Sequence, residues 1–362
     1  MGQPLFWMTL NPADVNSPIV MKLAGVDIDV SSRLKDAMPA YCDRLRLIAG
    51  DPVACADFYH DTVDAVLTSL LRFGAPDGDG GVMGRVKAYV GMTEEQRCLT
   101  LHCHLLVWIY GFNDLGSFRE LMDKTPERYA ELARLFSRVV FNQIASNDDV
   151  RHALLGTEEP SSSDEPASHD SDFVDRMHTD VAEVTTSANV HKCCFTCHKD
   201  RRREFENCAI AFTSAPTCTN TSQADQFTAV VRRLSGHVNS YHMLIQYCIR
   251  SNMDLTVMLR DSDARGALFY ILNCSTKTEQ TLDVLLNLLA PVVQRIRAEN
   301  VDMPAADTAV NLVRSCLCKS VSSQAIGAPA AASKVLGRDD HKVSHVATNC
   351  PMAPLLAWST SE

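Results

Sequence analysis

Leu5 to Leu10 reads as a short strand that ends at Asn11-Pro12, because a residue before proline is pushed out of the helical region. From Asp51-Pro52 onward, Val53, Phe58, Val63, Val66, Leu67, Leu70 and Leu71 recur near the helical period, which predicts a helix with proline in its first turn. It is expected to stop near Phe73-Gly74. The Gly/Asp-rich run Asp77 to Gly81 predicts a turn, and Val82 to Val90 and Thr100 to Trp108 predict two strands. Ser117 to Asn142 carries a helical pattern broken at Pro126. Further helical patterns lie at Asp225 to Leu234, His237 to Ile249, Thr281 to Ile296 and Ala305 to Ser320.

These elements predict an α+β fold: an antiparallel sheet with flanking helices on one side, an acidic disordered linker, then a mainly helical C-terminal half. The expected divisions are 1–147, 148–185, 186–222, 223–300 and 301–362. The linker rests on charge. The net charge is −10, yet eleven acidic residues and two arginines fall between Asp148 and Glu183, so the rest of the chain is nearly neutral. Within it, Glu158 to Pro166 offers Pro, Ser and like charge with little to bury, and 156–185 is therefore expected to be disordered. Because the acidity is local, it does not exclude a DNA-binding face elsewhere.

No apolar run is long enough for a membrane span, and the N-terminal residues lack a basic segment followed by an apolar one. An intracellular, non-secreted protein is expected. The 14 cysteines then read as reduced thiols or metal ligands rather than as a disulfide framework. The dipeptide Gly-Lys does not occur, so there is no G-x-x-x-x-G-K-[ST] phosphate loop and no P-loop helicase or ATPase.

The richest chemistry is Leu101-His102-Cys103-His104-Leu105. On a strand, His102 and His104 share one face and Cys103 takes the other. Two imidazoles on one face make half of a metal site; the plainer reading is two hydrogen-bonded histidines in a partly buried strand. Glu94 and Gln96 precede them closely enough to add an oxygen ligand, and such a set suits Mg²⁺ or Mn²⁺ with positions open to phosphate oxygens. A tyrosine beside such a metal can attack a phosphodiester. Tyr270 is the candidate, with Lys277 two helical turns on to support developing charge; the plainer reading packs Tyr270 in a core.

His191, Cys193, Cys197 and Cys208 form a Cys₃His set that suits structural Zn²⁺, or else a cluster of reduced thiols. Arg201, Arg202 and Arg203, and Arg232 with Arg233, could follow a DNA backbone or simply be solvated surface. Thr9 and Asn11 are assigned to shaping the site's edge.

In order along the chain, Pro4 to Val15 with its Asn-Pro-Ala-Asp, Gly84 to Tyr89, Glu94-Glu95-Gln96, Thr100 to Leu106, Arg250 to Leu255 and the Tyr270 segment resemble the Rep region of Helitron transposons. This region is the Helitron helicase-like domain, of the HUH endonuclease superfamily. The resemblance implies a divalent-metal nuclease that nicks single-stranded DNA at a transposon end through a tyrosine and starts rolling-circle transposition in the nucleus. It also implies a helicase partner, which could act in trans, and a chain that is a truncated Rep fragment. Two positions depart from the family. Cys274 stands where a second tyrosine would follow Tyr270, and Arg97-Cys98-Leu99 replaces a Gly-Arg-Gly run. These departures keep two rivals open: a catalytically inactive DNA-binding remnant, and a poorly folded product of a decayed copy.

Overall fold

The structure is a computed structural model that describes residues 2–12, 14–29, 38–76, 80–95, 100–112, 138–155, 168–191, 237–258, 261–276, 282–299, 308–309, 311–316 and 327–346, with isolated positions between 120 and 136. In chain order its main elements are β1 (Phe6–Asn11), α1 (Pro18–Leu23), α2 (Tyr41–Gly50), α3 (Pro52–Ala65), β2 (Val86–Glu95) and β3 (Leu101–Ile109). There follow α4 (Asn147–Leu155), α5 (Ser168–Val184), α6 (Met243–Ile249), β4 (Asn252–Val257), α7 (Asp261–Thr276), α8 (Leu282–Glu299), α9 (Ala328–Val335) and β5 (His341–Val343). The fold is mixed α+β around one five-stranded antiparallel sheet, in the order β4-β1-β3-β2-β5.

The predicted helix at Asp51-Pro52 forms as expected. Asp51 caps it by accepting the Ala54 N–H at 3.0 Å, and Pro52 occupies the first helical turn, where its missing N–H costs nothing. The helix widens into a π-helical turn over Val66–Leu70 and ends where Arg72 and Gly74 take positive φ. The strand expected over 82–90 runs instead over Val86–Glu95, because Gly81 and Gly84 close a tight turn first. A Cβ on Gly81 would come within 2.2 Å of the Leu70 carbonyl oxygen, so only glycine fits there.

β1 shows strict alternation, with Phe6, Met8 and Leu10 buried and Trp7, Thr9 and Asn11 on the opposite face. The first set joins Cys103, Leu105 and Val107 of β3 in the main core, against Tyr59 and Val63 of α3, Met177 of α5 and Met243 of α6. The second face is also covered. Met258 and, on α7, Ala264 and Ile271 pack on Leu106, Trp108 and Trp7. Helices therefore lie on both faces rather than on one, which is why β3 is buried along nearly its whole length.

Two expectations for the second half are corrected. Of the segment expected to be a disordered linker, Ser168–Val184 is a helix, because Val174, Met177, Val181 and Val184 form an apolar stripe that is buried. Acidic residues take its other side. The half expected to be mainly helical also supplies β4 and β5, which complete the two edges of the sheet. Among the described residues no helix is long and apolar enough to cross a membrane.

Candidate metal centre

Antiparallel register brings the site together. Glu94 of β2 is paired with His102 of β3, and His104 is paired with Thr9 of β1 on one side and Met92 of β2 on the other. Directly paired residues share a face, so Thr9, Glu94, His102 and His104 all point the same way. Cys103 points into the main core, where burial pushes its thiol up to about 12 and keeps it neutral. The strand-face reading of the His-Cys-His run thus holds.

Three ligand atoms converge. His102 Nε2 and His104 Nε2 are 2.9 Å apart, and Glu94 Oε2 lies 3.5 Å from the first and 3.2 Å from the second. Adjacent ligands on one cation at about 2.1 Å are separated by about 3.0 Å in octahedral and about 3.4 Å in tetrahedral geometry. The observed triangle brackets both values. Both histidines are buried and the Glu94 side chain is nearly so, which removes competing water from one side of the triangle. Glu94, His102 and His104 therefore form a possible metal-binding group whose donors, two imidazoles and one carboxylate, fit Mn²⁺, Mg²⁺ or Zn²⁺. Gln96, the other expected oxygen ligand, lies outside the described residues.

α7 reaches the triangle at Glu94. Tyr270 donates its hydroxyl to Glu94 Oε2 at 3.4 Å, and one turn later Cys274 donates its thiol to the same oxygen at 3.1 Å. The Tyr270 ring also meets Trp7 edge-on at 5.5 Å and His104 at 5.0 Å. Its phenol is pushed up to about 12, first by burial and then by the negative charge of Glu94. Tyr270 thus lies beside Glu94 and His104 rather than packed away in a core, and it remains partly exposed.

Thr9 is on the site face, with its hydroxyl 2.9 Å from His104 Nδ1. Asn11 is one pleat further along, opposite Asn252 of β4. Trp7, which sequence reading did not single out, stacks on His104 at 5.2 Å with 20° between the rings. Period-two alternation through Thr9 would have found it. Cys274, read only as a lost tyrosine, turns out to touch Glu94.

His191 is described at a β-bridge end, where its N–H donates to the His237 carbonyl at 2.7 Å. Lys277, Cys193, Cys197, Cys208, Arg201, Arg202, Arg203, Arg232 and Arg233, and with them the expected zinc element and basic runs, lie outside the described residues.

Residues 1–107 match the family model of the Helitron helicase-like domain at N-terminus. The match spans β1 through most of β3, so it includes Glu94, His102 and His104, whereas Tyr270 lies beyond it. The resemblance read from the first motifs is borne out over this stretch. No curated protein matches the chain.

Proposed function

We propose that the chain is a metal-dependent endonuclease that nicks single-stranded DNA with Tyr270 as nucleophile. The observation that carries this reading is the meeting of a His/His/Glu triangle with a tyrosine hydroxyl at its carboxylate corner. Glu94, His102 and His104 would hold Mg²⁺ or Mn²⁺, which when bound supplies positive charge to polarise a scissile phosphate. Tyr270 Oη forms the new bond to phosphorus as the bond to the 3′ oxygen breaks, which leaves the 5′ end attached to the protein. Glu94 Oε2, 3.4 Å from the hydroxyl, would accept the phenolic proton, and the departing 3′ oxygen takes a proton from solvent. Trp7 and His104 fix the phenol ring by edge contacts. The substrate on this reading is the single-stranded end of a transposon, in the nucleus.

A second reading, a DNA-binding remnant without turnover, is favoured by Cys274. Its thiol occupies the position one turn after Tyr270 where a second tyrosine would alternate with the first, so this helix does not support a two-tyrosine strand-transfer cycle. Incubating the full chain with single-stranded oligonucleotides and Mn²⁺, then resolving protein-linked DNA on a denaturing gel, separates the two. An adduct that vanishes in Tyr270→Phe supports the nuclease. Salt-sensitive binding with no adduct supports the remnant.

A further inference from the structure

Thr9 and His104 face each other in the β1–β3 register, and Thr9 Oγ1 lies 2.9 Å from His104 Nδ1. The other ring nitrogen, Nε2, faces Glu94 and His102. A neutral imidazole has one N–H and one bare nitrogen, and only the bare one offers a lone pair to a cation. For Nε2 to be that atom, the proton must sit on Nδ1, where a hydroxyl oxygen is already in place to accept it. Trp7, two residues before Thr9 on the same face, stacks on the ring and limits its rotation. The strand itself does not call for a hydroxyl at position 9, since a valine is as compatible with pleated backbone and half-burial.

We propose that Thr9 is a positioning residue: its Oγ1 accepts the Nδ1–H of His104 and holds the ring in the tautomer and orientation that aim Nε2 at a divalent cation. This rests on the metal-binding reading of Glu94, His102 and His104. Hydrogen bonds of this kind to a ligand histidine raise its basicity and fix its direction, and removing one costs about 10- to 100-fold in metal affinity.

The test is a Mn²⁺ titration followed by electron paramagnetic resonance on the full chain, for the unaltered protein, Thr9→Val, Thr9→Ser and His104→Ala, with metal-free melts alongside. Thr9→Val, which keeps the branched shape and loses the hydroxyl, is expected to weaken Mn²⁺ binding about 10- to 100-fold. Its metal-free melt should stay close to that of the unaltered chain, and Thr9→Ser should restore most of the affinity. Should Thr9→Val not fold, Thr9→Ala takes its place with the same expectation. If His104→Ala abolishes binding while Thr9→Val binds as the unaltered protein does, the role of Thr9 is overturned and the metal group stands. Equal weakening in Thr9→Ser and Thr9→Val would also overturn it, since the hydroxyl would then not be responsible. If the unaltered chain binds no Mn²⁺, or His104→Ala binds it equally well, the metal reading falls and this inference falls with it.

Discussion

Cys274 donates its thiol to Glu94 Oε2 at 3.1 Å, so the carboxylate of the candidate metal group also ties α7 to the face of the sheet on which Ala264 and Ile271 pack. Tyr270 shares the same oxygen. This carboxylate raises the phenol, and its removal therefore has a defined sign.

Glu94→Gln should lower the Tyr270 pKa from about 12, leaving it above the ordinary value because burial, the larger cause, remains. Tyrosinate absorbance on alkaline titration, read as the difference between each protein and its Tyr270→Phe derivative, measures this. An unchanged onset would show that Glu94 and Tyr270 are not in contact in solution.

Metal should stabilise the fold. A cation present at about 100 times its Kd contributes about 2.7 kcal/mol, which for a chain of this size raises Tm by a few degrees. Calorimetry with and without Mn²⁺ should show the rise in the unaltered chain and none in His102→Ala, whose triangle lacks one corner.

The pH dependence of stability follows from two other histidines. His242 and His60 are held down at about 4, chiefly by burial, with Lys342 and Arg338 adding to the effect at His60. The unfolded chain protonates its histidines near 6.5, so it binds more protons than the folded chain between those values. Stability is therefore fullest above about pH 6.5 and declines as pH falls towards 4, by on the order of 3 kcal/mol for each ring at the lower end. Urea melts at several pH values check this; a midpoint constant between pH 7 and pH 5, the latter about 1.5 units below the unfolded value, would refute it.

The packing of α9 and β5 against α3 gives a contrast between two polar contacts. His60 Nε2 pairs with Ser333 Oγ at 3.1 Å with both residues buried, so Ser333→Ala should cost about 1–3 kcal/mol through the stranded ring nitrogen. Arg338 reaches Asp57 and Asp61 at the surface, and Arg338→Ala should cost less than about 1 kcal/mol. Denaturant melts of the two variants measure the difference. Equal costs would place His60 and Ser333 in contact with water.

Met177 is fully buried on α5, and Met177→Ala should cost about 2–5 kcal/mol by opening a cavity beneath the sheet. A melt indistinguishable from that of the unaltered chain would return this segment to the status of a linker.

The sequence made the site's centre legible because strand alternation is a strong local signal. The spacing of His102 and His104 needs only a pleat, and Asp51-Pro52 needs only a cap. Register is not local, and nothing in the order of residues says that Glu94 pairs with His102 rather than Gln96 doing so. The acidic helix Ser168–Val184 was hidden by its charge: its four buried apolar residues are spaced over three turns and are diluted in any average over the segment. β4 and β5 were missed for a different reason. Both are short edge strands whose pairing partners, β1 and β2, lie more than two hundred residues earlier in the chain.

β3 occupies the middle of the sheet and is covered on both sides, and this gives its histidines a kind of proofreading. A slip of one residue against β1 and β2 would drive His102 and His104 into the apolar core and turn Cys103 outward in their place. Such a misassembled chain would strand two imidazoles without water and lose its contacts with Thr9 and Glu94 in the same move. The residues that would hold the cation thus also reject a one-residue misalignment of the strand that carries them.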